Sequence, residues 1–319
     1  VNGAPVEVAM ASGVALLEWE TATLDDALAA LEDAMRRRRV ATSDPARDTM
    51  VDGLRAAGNG AAEPAEDVRE LEEVVAGILS GDDLVAVAQP IVRVSDEVVV
   101  GYEMLTRGRE GLYEAPAELL RLARHRGLLT RVDLRCMQTC LEEAATLAPH
   151  LLISFNLFPT TLLDILLEDV INLFEESDAR LCLELSEEQF VGDPRELGDR
   201  IAALRAAGVK LAIDDVGKGR GTLDSVMLLE PDIVKIDREL ITGASRDTRK
   251  ERLLRRLVAL AATLGCEVVG EGVEKAEDLG LLRELEVPYA QGFLWSAPAS
   301  LDSLPSEDTR VSSSPPAGA

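Results

Sequence analysis

Between residues 84 and 294 short apolar runs recur, and from the second onward most are separated by segments with one apolar and one charged face. That alternation constrains the fold more than any other feature of the chain. The runs are LVAVAQPIV (84–92), EVVVGYEML (97–105), LLISFNL (151–157), LCLEL (181–185), VKLAIDD (209–215), IVKID (233–237), EVVGE (267–271) and YAQGFL (289–294). Segments between them, such as PAELLRLARHRGLL and TRKERLLRRLVALAATLG, space their apolar residues for a helix. Strands alternating with helices pair in parallel, because each crossover helix returns the chain to the same end of the sheet. Eight such strands in about 220 residues predict an α/β fold, a TIM-like (β/α)8 barrel rather than an open sheet. Only RVSD separates the first two runs, too little for a crossover, so that pair is expected to be antiparallel.

The flanks read differently. PVEVAMASGVALLE (5–18) resembles a strand, and TLDDALAALEDAMRRRR (23–39) a helix with Thr23 as N-cap, acids early and arginines late. Residues 43–65, rich in Gly, Ala, Pro and Asp, read as a linker. An amphipathic helix in DVRELEEVVAGILSG (67–81) opens the barrel domain, expected over 66–301, and the polar tail 302–319 is expected to be disordered. The chain starts with Val1 and reads as a piece of a longer protein. No run is long enough for a membrane span, and no basic-then-apolar leader is seen, which predicts a cytoplasmic location.

Composition excludes several functions. A net charge of −25 argues against binding nucleic acid polymers or anionic membranes. An anionic small substrate would need metal ions or a local basic cluster. The four cysteines form no C-x-x-C pair and read as reduced, buried apolar groups. The two histidines, His125 and His150, lie far apart, which excludes an H-E-x-x-H zinc site.

In such barrels the C-terminal ends of the strands build the active site. There the sequence places Glu103 with Arg107, Asn156, Glu184 with Glu187, Asp214 and Asp215, Lys235 and Asp237, Glu271 and Glu274, and Gln291. One carboxylate at a strand end is ordinarily a helix cap or a surface group. Polar groups on seven successive strands are a pattern, and carboxylates converging in one cavity repel unless cations lie among them. Oxygen donors without His or Cys favour Mg²⁺ or Mn²⁺ over zinc. Adjacent aspartates suit a bridged metal pair, the arrangement used to hydrolyse phosphodiesters. Lys235, one of only five lysines, either orients water and phosphate there or forms a buried ion pair with a neighbouring aspartate.

In order, QPIV, GYEMLTR, FNLFPTTL, LELSE, LAIDDVGKG, VKID, VVGEGVE and QGFL resemble the EAL-domain phosphodiesterases over residues 66–301. The resemblance implies hydrolysis of cyclic di-GMP to pGpG with two Mg²⁺ or Mn²⁺ ions. By motif, Glu103, Asn156, Glu184 and Asp214 would hold one ion. Asp214 would bridge to a second, held by Asp215 and Glu271. Lys235 would contact the attacking water, with Glu271 and Glu274 also serving the catalytic site. Gln89, Arg107, Asp237 and Gln291 would meet the substrate, and Glu187 would anchor the loop after the fifth strand. A homodimer is a further implication.

Departures from the family pattern are concentrated near the site. Met104 stands where alanine is usual, and Phe158 where serine is common. The loop after Asp215 reads VGKGRGT, without the usual phenylalanine, threonine, tyrosine and serines. Lys218 and Arg220 either bring positive charge to an anionic ligand or are solvated loop charges. The altered loop keeps open a second implication, a catalytically silent cyclic di-GMP receptor working through a partner. Residues 5–39 resemble the end of a diguanylate cyclase (GGDEF) domain, without its catalytic signature, which implies an upstream GGDEF or sensory domain in the longer protein and a partial fragment over 1–42.

Overall fold

The structure, a computed structural model, describes residues 6–10, 13–17, 74–109, 114–175, 177, 179–186, 194–218, 222–304 and 311. The chain divides into two units, Val1–Glu70 and Leu71–Ala319. In the first, β1 (Val6–Met10) and β2 (Gly13–Leu17) pair antiparallel, with Val6 opposite Leu17 and Met10 opposite Gly13. The single strand expected over 5–18 is therefore a hairpin. The helix expected over 23–39 and the linker over 43–65 lie outside the described residues.

The second unit contains a helix over 74–80, then β3 (Leu84–Arg93), β4 (Val99–Gly108), α1 (Pro116–His125), α2 (Leu129–Ala144) and β5 (Leu152–Asn156). Next come α3 (Pro159–Asp164), α4 (Leu167–Glu175), β6 (Arg180–Ser186), α5 (Gly198–Ala206), β7 (Lys210–Val216) and α6 (Thr222–Leu229). It ends with β8 (Ile233–Ile236), α7 (Arg238–Ile241), α8 (Thr248–Leu264), β9 (Glu267–Gly270), α9 (Ala276–Glu284) and β10 (Tyr289–Ala290). The strands close into a barrel in the order β10-β3-β4-β5-β6-β7-β8-β9. Strand β3 runs antiparallel to both β4 and β10, and every other neighbouring pair is parallel. The barrel and its one reversed strand follow the sequence expectation.

Helix boundaries follow local chemistry. Asp247 caps α8, its Oδ1 accepting the N–H groups of Arg249 at 2.8 Å and Lys250 at 3.3 Å. Gly265, left-handed at φ 75°, ends that helix. The segment PAELLRLARHRGLL is not one helix: α1 stops at His125, Gly127 turns the chain at φ 65°, and α2 begins at Leu129. Where the barrel domain is expected to give way to a disordered tail at 302, Leu301–Ser303 form a 3-10 turn. Val311 is buried, its N–H donating to Glu97 O at 3.1 Å. The Glu97 carboxylate also accepts from Arg283 at 2.8 Å and the Trp295 indole at 3.1 Å, closing that end of the barrel.

Successive side chains on a strand point to opposite faces. Met104, Ile153, Phe155, Leu183, Ile213, Val234 and Val268 pack outward into the main core with the surrounding helices. Ile91, Leu152, Cys182, Ala212, Ile233 and Val269, one from each of six strands, form a separate small cluster that plugs the interior. Glu184, Asp214, Lys235 and Glu271 each follow a plug residue by two positions, so they share its face one layer higher. Glu103 follows Gly101 in the same way, and Gly101 pairs with Leu152. A Cβ on Gly101 would lie 2.2 Å from Leu152 O, so β4 and β5 approach this closely only with glycine there.

Candidate active site

Lys235 Nζ stands where the interior-facing acids meet. It lies 2.6 Å from Glu184 Oε2, 2.8 Å from Glu271 Oε1, 3.4 Å from Glu103 Oε2 and 3.5 Å from Asp214 Oδ1. These groups come from five different strands or strand ends, and the lysine is only 1% exposed. Amide donors fix Glu103 further: Gln291 Nε2 donates to its Oε2 at 2.6 Å and Asn156 Nδ2 to its Oε1 at 3.1 Å.

The electrostatics are crowded. Burial pushes Glu184 up to about 8 despite the neighbouring ammonium. Burial also raises Asp214, and it raises Glu271 well above the carboxylate range. The same burial acts on Glu103, but Lys235, Gln291 and Asn156 outweigh it and hold that carboxyl below its ordinary value. Burial opposes charge on Lys235 too, yet Asp214, Glu103, Glu184 and Glu271 raise it well above the usual lysine range. One ammonium among four carboxylates leaves excess negative charge, which must be met by protons or by further cations.

Asp214 and Asp215 are adjacent, so an ordinary strand would turn them to opposite faces. Here the β7–β8 register shifts between Ile213 and Val216, and Asp215 is left-handed at φ 61°. This bulge turns both carboxylates toward the barrel mouth. Ser186, the last residue of β6, donates its hydroxyl to Asp215 Oδ2 at 3.0 Å. Sequence reading missed Ser186, although it lies two positions beyond Glu184 on the same face.

The other expected residues spread over two cavities. One, of about 300 Å³, is lined by Gln89, Asp215, Asp237, Glu271, Glu274 and Gln291, together with Lys218, Arg238 and Phe293. Gln89 donates to Ser296 O at 3.0 Å, and Glu274 is exposed at the rim. Asp237 lies past the end of β8, where its Oδ1 caps α7 by accepting Glu239 N–H at 2.6 Å. Arg107 is not in this cavity. It lines a more apolar one of about 200 Å³ with Asn156, Pro116, Leu119 and Phe158, and donates to Thr106 O at 2.9 Å. Glu187 and Arg220 lie outside the described residues.

Asp133 borders that second cavity. Its Oδ2 accepts Phe158 N–H at 2.8 Å, and burial pushes its carboxyl up to about 6. The folded state therefore keeps a proton that the unfolded chain releases near its ordinary 3.8. The resulting stabilisation is full below about pH 4 and is lost as pH rises through 6, about 3 kcal/mol in all. Asp133→Asn is expected to remove that decline, read from urea unfolding of both proteins across this pH range.

Whether these residues suit divalent ions can be judged from the donors. The set is all oxygen, as Mg²⁺ and Mn²⁺ prefer. Asp214 Oδ1 and Gln291 Oε1 are buried without a hydrogen-bond partner. Among the described residues no three acids already form a metal cage, because they are drawn onto Lys235 instead. Bound ions would take over part of the ammonium's contacts. The residues present fit the group.

The EAL domain family model matches residues 70–298. A relative from Escherichia coli K12, probable cyclic di-GMP phosphodiesterase PdeB, is 30% identical over 229 residues. That match covers 69% of this chain and 42% of PdeB, so the chain spans less than half of that relative. The PaMucR phosphodiesterase, solved as a c-di-GMP complex, is 26% identical with TM-score 0.64, covering 73% of this chain and 98% of that one. Klebsiella pneumoniae BlrP1, solved as a manganese/cy-diGMP complex, is 28% identical with TM-score 0.63, covering 69% of this chain and 56% of that one. With the barrel, its reversed strand and the interior acids in place, the chain belongs to the EAL domain family.

Proposed function

We propose that this barrel hydrolyses cyclic di-GMP to the linear dinucleotide pGpG with the help of two Mg²⁺ or Mn²⁺ ions. The observation that carries this reading is the meeting of Glu103, Glu184, Asp214 and Glu271 within 3.5 Å of Lys235 Nζ. Glu103, Asn156, Glu184 and Asp214 would hold one ion, with Asp214 shared and Asp215 and Glu271 completing the second. Such ions, when bound, polarise the phosphate and make water a stronger nucleophile.

The chain's own groups do the rest. Lys235 donates toward the attacking oxygen and the charge growing on phosphate. Gln291 and Asn156 keep Glu103 ionised and oriented. Ser186 holds Asp215 in its turned-in position. Glu274 assists at the rim, and Gln89, Asp237 and Arg107 meet the substrate from the two cavities, with Glu187 anchoring the loop. We read residues 1–42 as the end of a GGDEF-type domain of a longer, cytoplasmic signalling protein, on sequence resemblance. A homodimer belongs to the same proposal.

A second reading, a silent receptor, is favoured by one feature: Lys218, in the altered loop, lies 3.9 Å from Asp215 Oδ1. Incubation of the chain with cyclic di-GMP and Mn²⁺, followed by chromatography, separates the two. The enzyme produces pGpG, and a chelator stops it. The receptor binds cyclic di-GMP and returns it unchanged.

A further inference from the structure

Lys218 is the second ammonium facing this acidic site. Lys235 touches acids of both proposed ion sites, Glu271 among them at 2.8 Å, and Lys218 reaches Asp215 from the loop after β7. Its place is set by backbone: Lys218 N–H donates to Asp215 O at 3.3 Å, and Gly217 between them is left-handed at φ 106°. The tight turn folds the side chain back, so that Nζ lies 3.9 Å from Asp215 Oδ1. Both side chains are partly shielded, at 35% and 26% exposure, and both line the cavity that holds Glu271 and Glu274. Asp215 Oδ2 is already engaged by Ser186. Both oxygens of this aspartate therefore have a partner before any ion arrives.

We propose that Lys218 is a built-in cation that sets the two ion sites unequal, making the outer divalent ion bind more weakly than the inner one. This rests on the two-ion reading above. The physical cause is direct. An ion at Asp215 must displace the Lys218 contact and then sit near a fixed positive charge. A unit charge a few ångströms away in partly shielded surroundings is worth roughly a tenfold change in affinity. The acids of the inner site contact Lys235, which also touches Glu271 of the outer site at 2.8 Å, so its charge weighs on both ions while that of Lys218 falls on the outer one.

The test is Mn²⁺ binding to the whole chain without substrate, counted as free Mn²⁺ by electron paramagnetic resonance. Wild type is expected to show one tight and one weak ion. Lys218→Met keeps the length and removes the charge, and should tighten the weak ion about tenfold while leaving the tight one in place. Lys218→Arg keeps the charge and should behave as wild type. Raising salt should shrink the difference between Met and wild type, since the pair is partly exposed. Thermal melting of each variant confirms that the fold is kept. Two ions of equal affinity in wild type overturn the inference, as does a weak ion unmoved or loosened in Lys218→Met. Failure of wild type to bind any Mn²⁺ that Glu103→Ala removes contradicts the two-ion reading itself, and the inference with it.

Discussion

Lys235→Met is expected to destabilise the metal-free barrel by about 3–5 kcal/mol, the usual loss when one partner of a buried ion pair is removed. Methionine nearly fills the lysine's volume, so the loss reads charge rather than a cavity. Glu184, Glu271, Glu103 and Asp214 would then face one another with no ammonium among them. In a barrel of this size the melting temperature should fall by roughly 10 °C. Two features separate this outcome from simple misfolding. The deficit should shrink as pH falls, because burial already holds Glu184, Asp214 and Glu271 above their ordinary values and protonation relieves them. Mn²⁺ should also raise the melting temperature of the variant more than that of wild type, since ions would replace the missing charge. A variant as stable as wild type and indifferent to Mn²⁺ would mean that the carboxylates do not depend on a cation.

Glu103→Gln is expected to lower the rate of pGpG formation by about 10²-fold or more, since removing even an outer-shell partner of a metal ligand costs about 10–100-fold. The change keeps shape and takes away a charge that Lys235, Gln291 and Asn156 keep in place. The two amide donors now pointing at Glu103 would meet a glutamine that can accept from only one of them well, so the local geometry loosens as well. Melting should change far less than in Lys235→Met, because less negative charge remains around the ammonium. Retained turnover in Glu103→Gln would remove this residue from the ion site.

Much of the site was legible because a strand has a period of two. The apolar plug residues Cys182, Ala212, Ile233 and Val269 predict the face on which Glu184, Asp214, Lys235 and Glu271 appear. Alternating strands and helices give the barrel, and RVSD gives its reversed strand. What stayed hidden depends on backbone detail rather than residue pattern. Nothing in LAIDDVG announces the left-handed Asp215 that brings two neighbouring aspartates to one mouth. Asp237 reads as a strand-end group that would meet the substrate, and its second role, capping a helix of only four residues, is not visible in VKID. Arg107 reads as a neighbour of Glu103, but it lines a different cavity, with Asn156, Pro116, Leu119 and Phe158. Val311 looks like part of a polar tail, and only the surroundings of Glu97 give it a place to bury.

The most direct measurement is anomalous diffraction from crystals of this chain soaked in manganese. The account predicts density inside the barrel mouth, a strong peak among Glu103, Asn156, Glu184 and Asp214 and a weaker one beside Asp215 and Glu271. Lys235 Nζ still contacting all four carboxylates, with no manganese peak at the mouth, would contradict it.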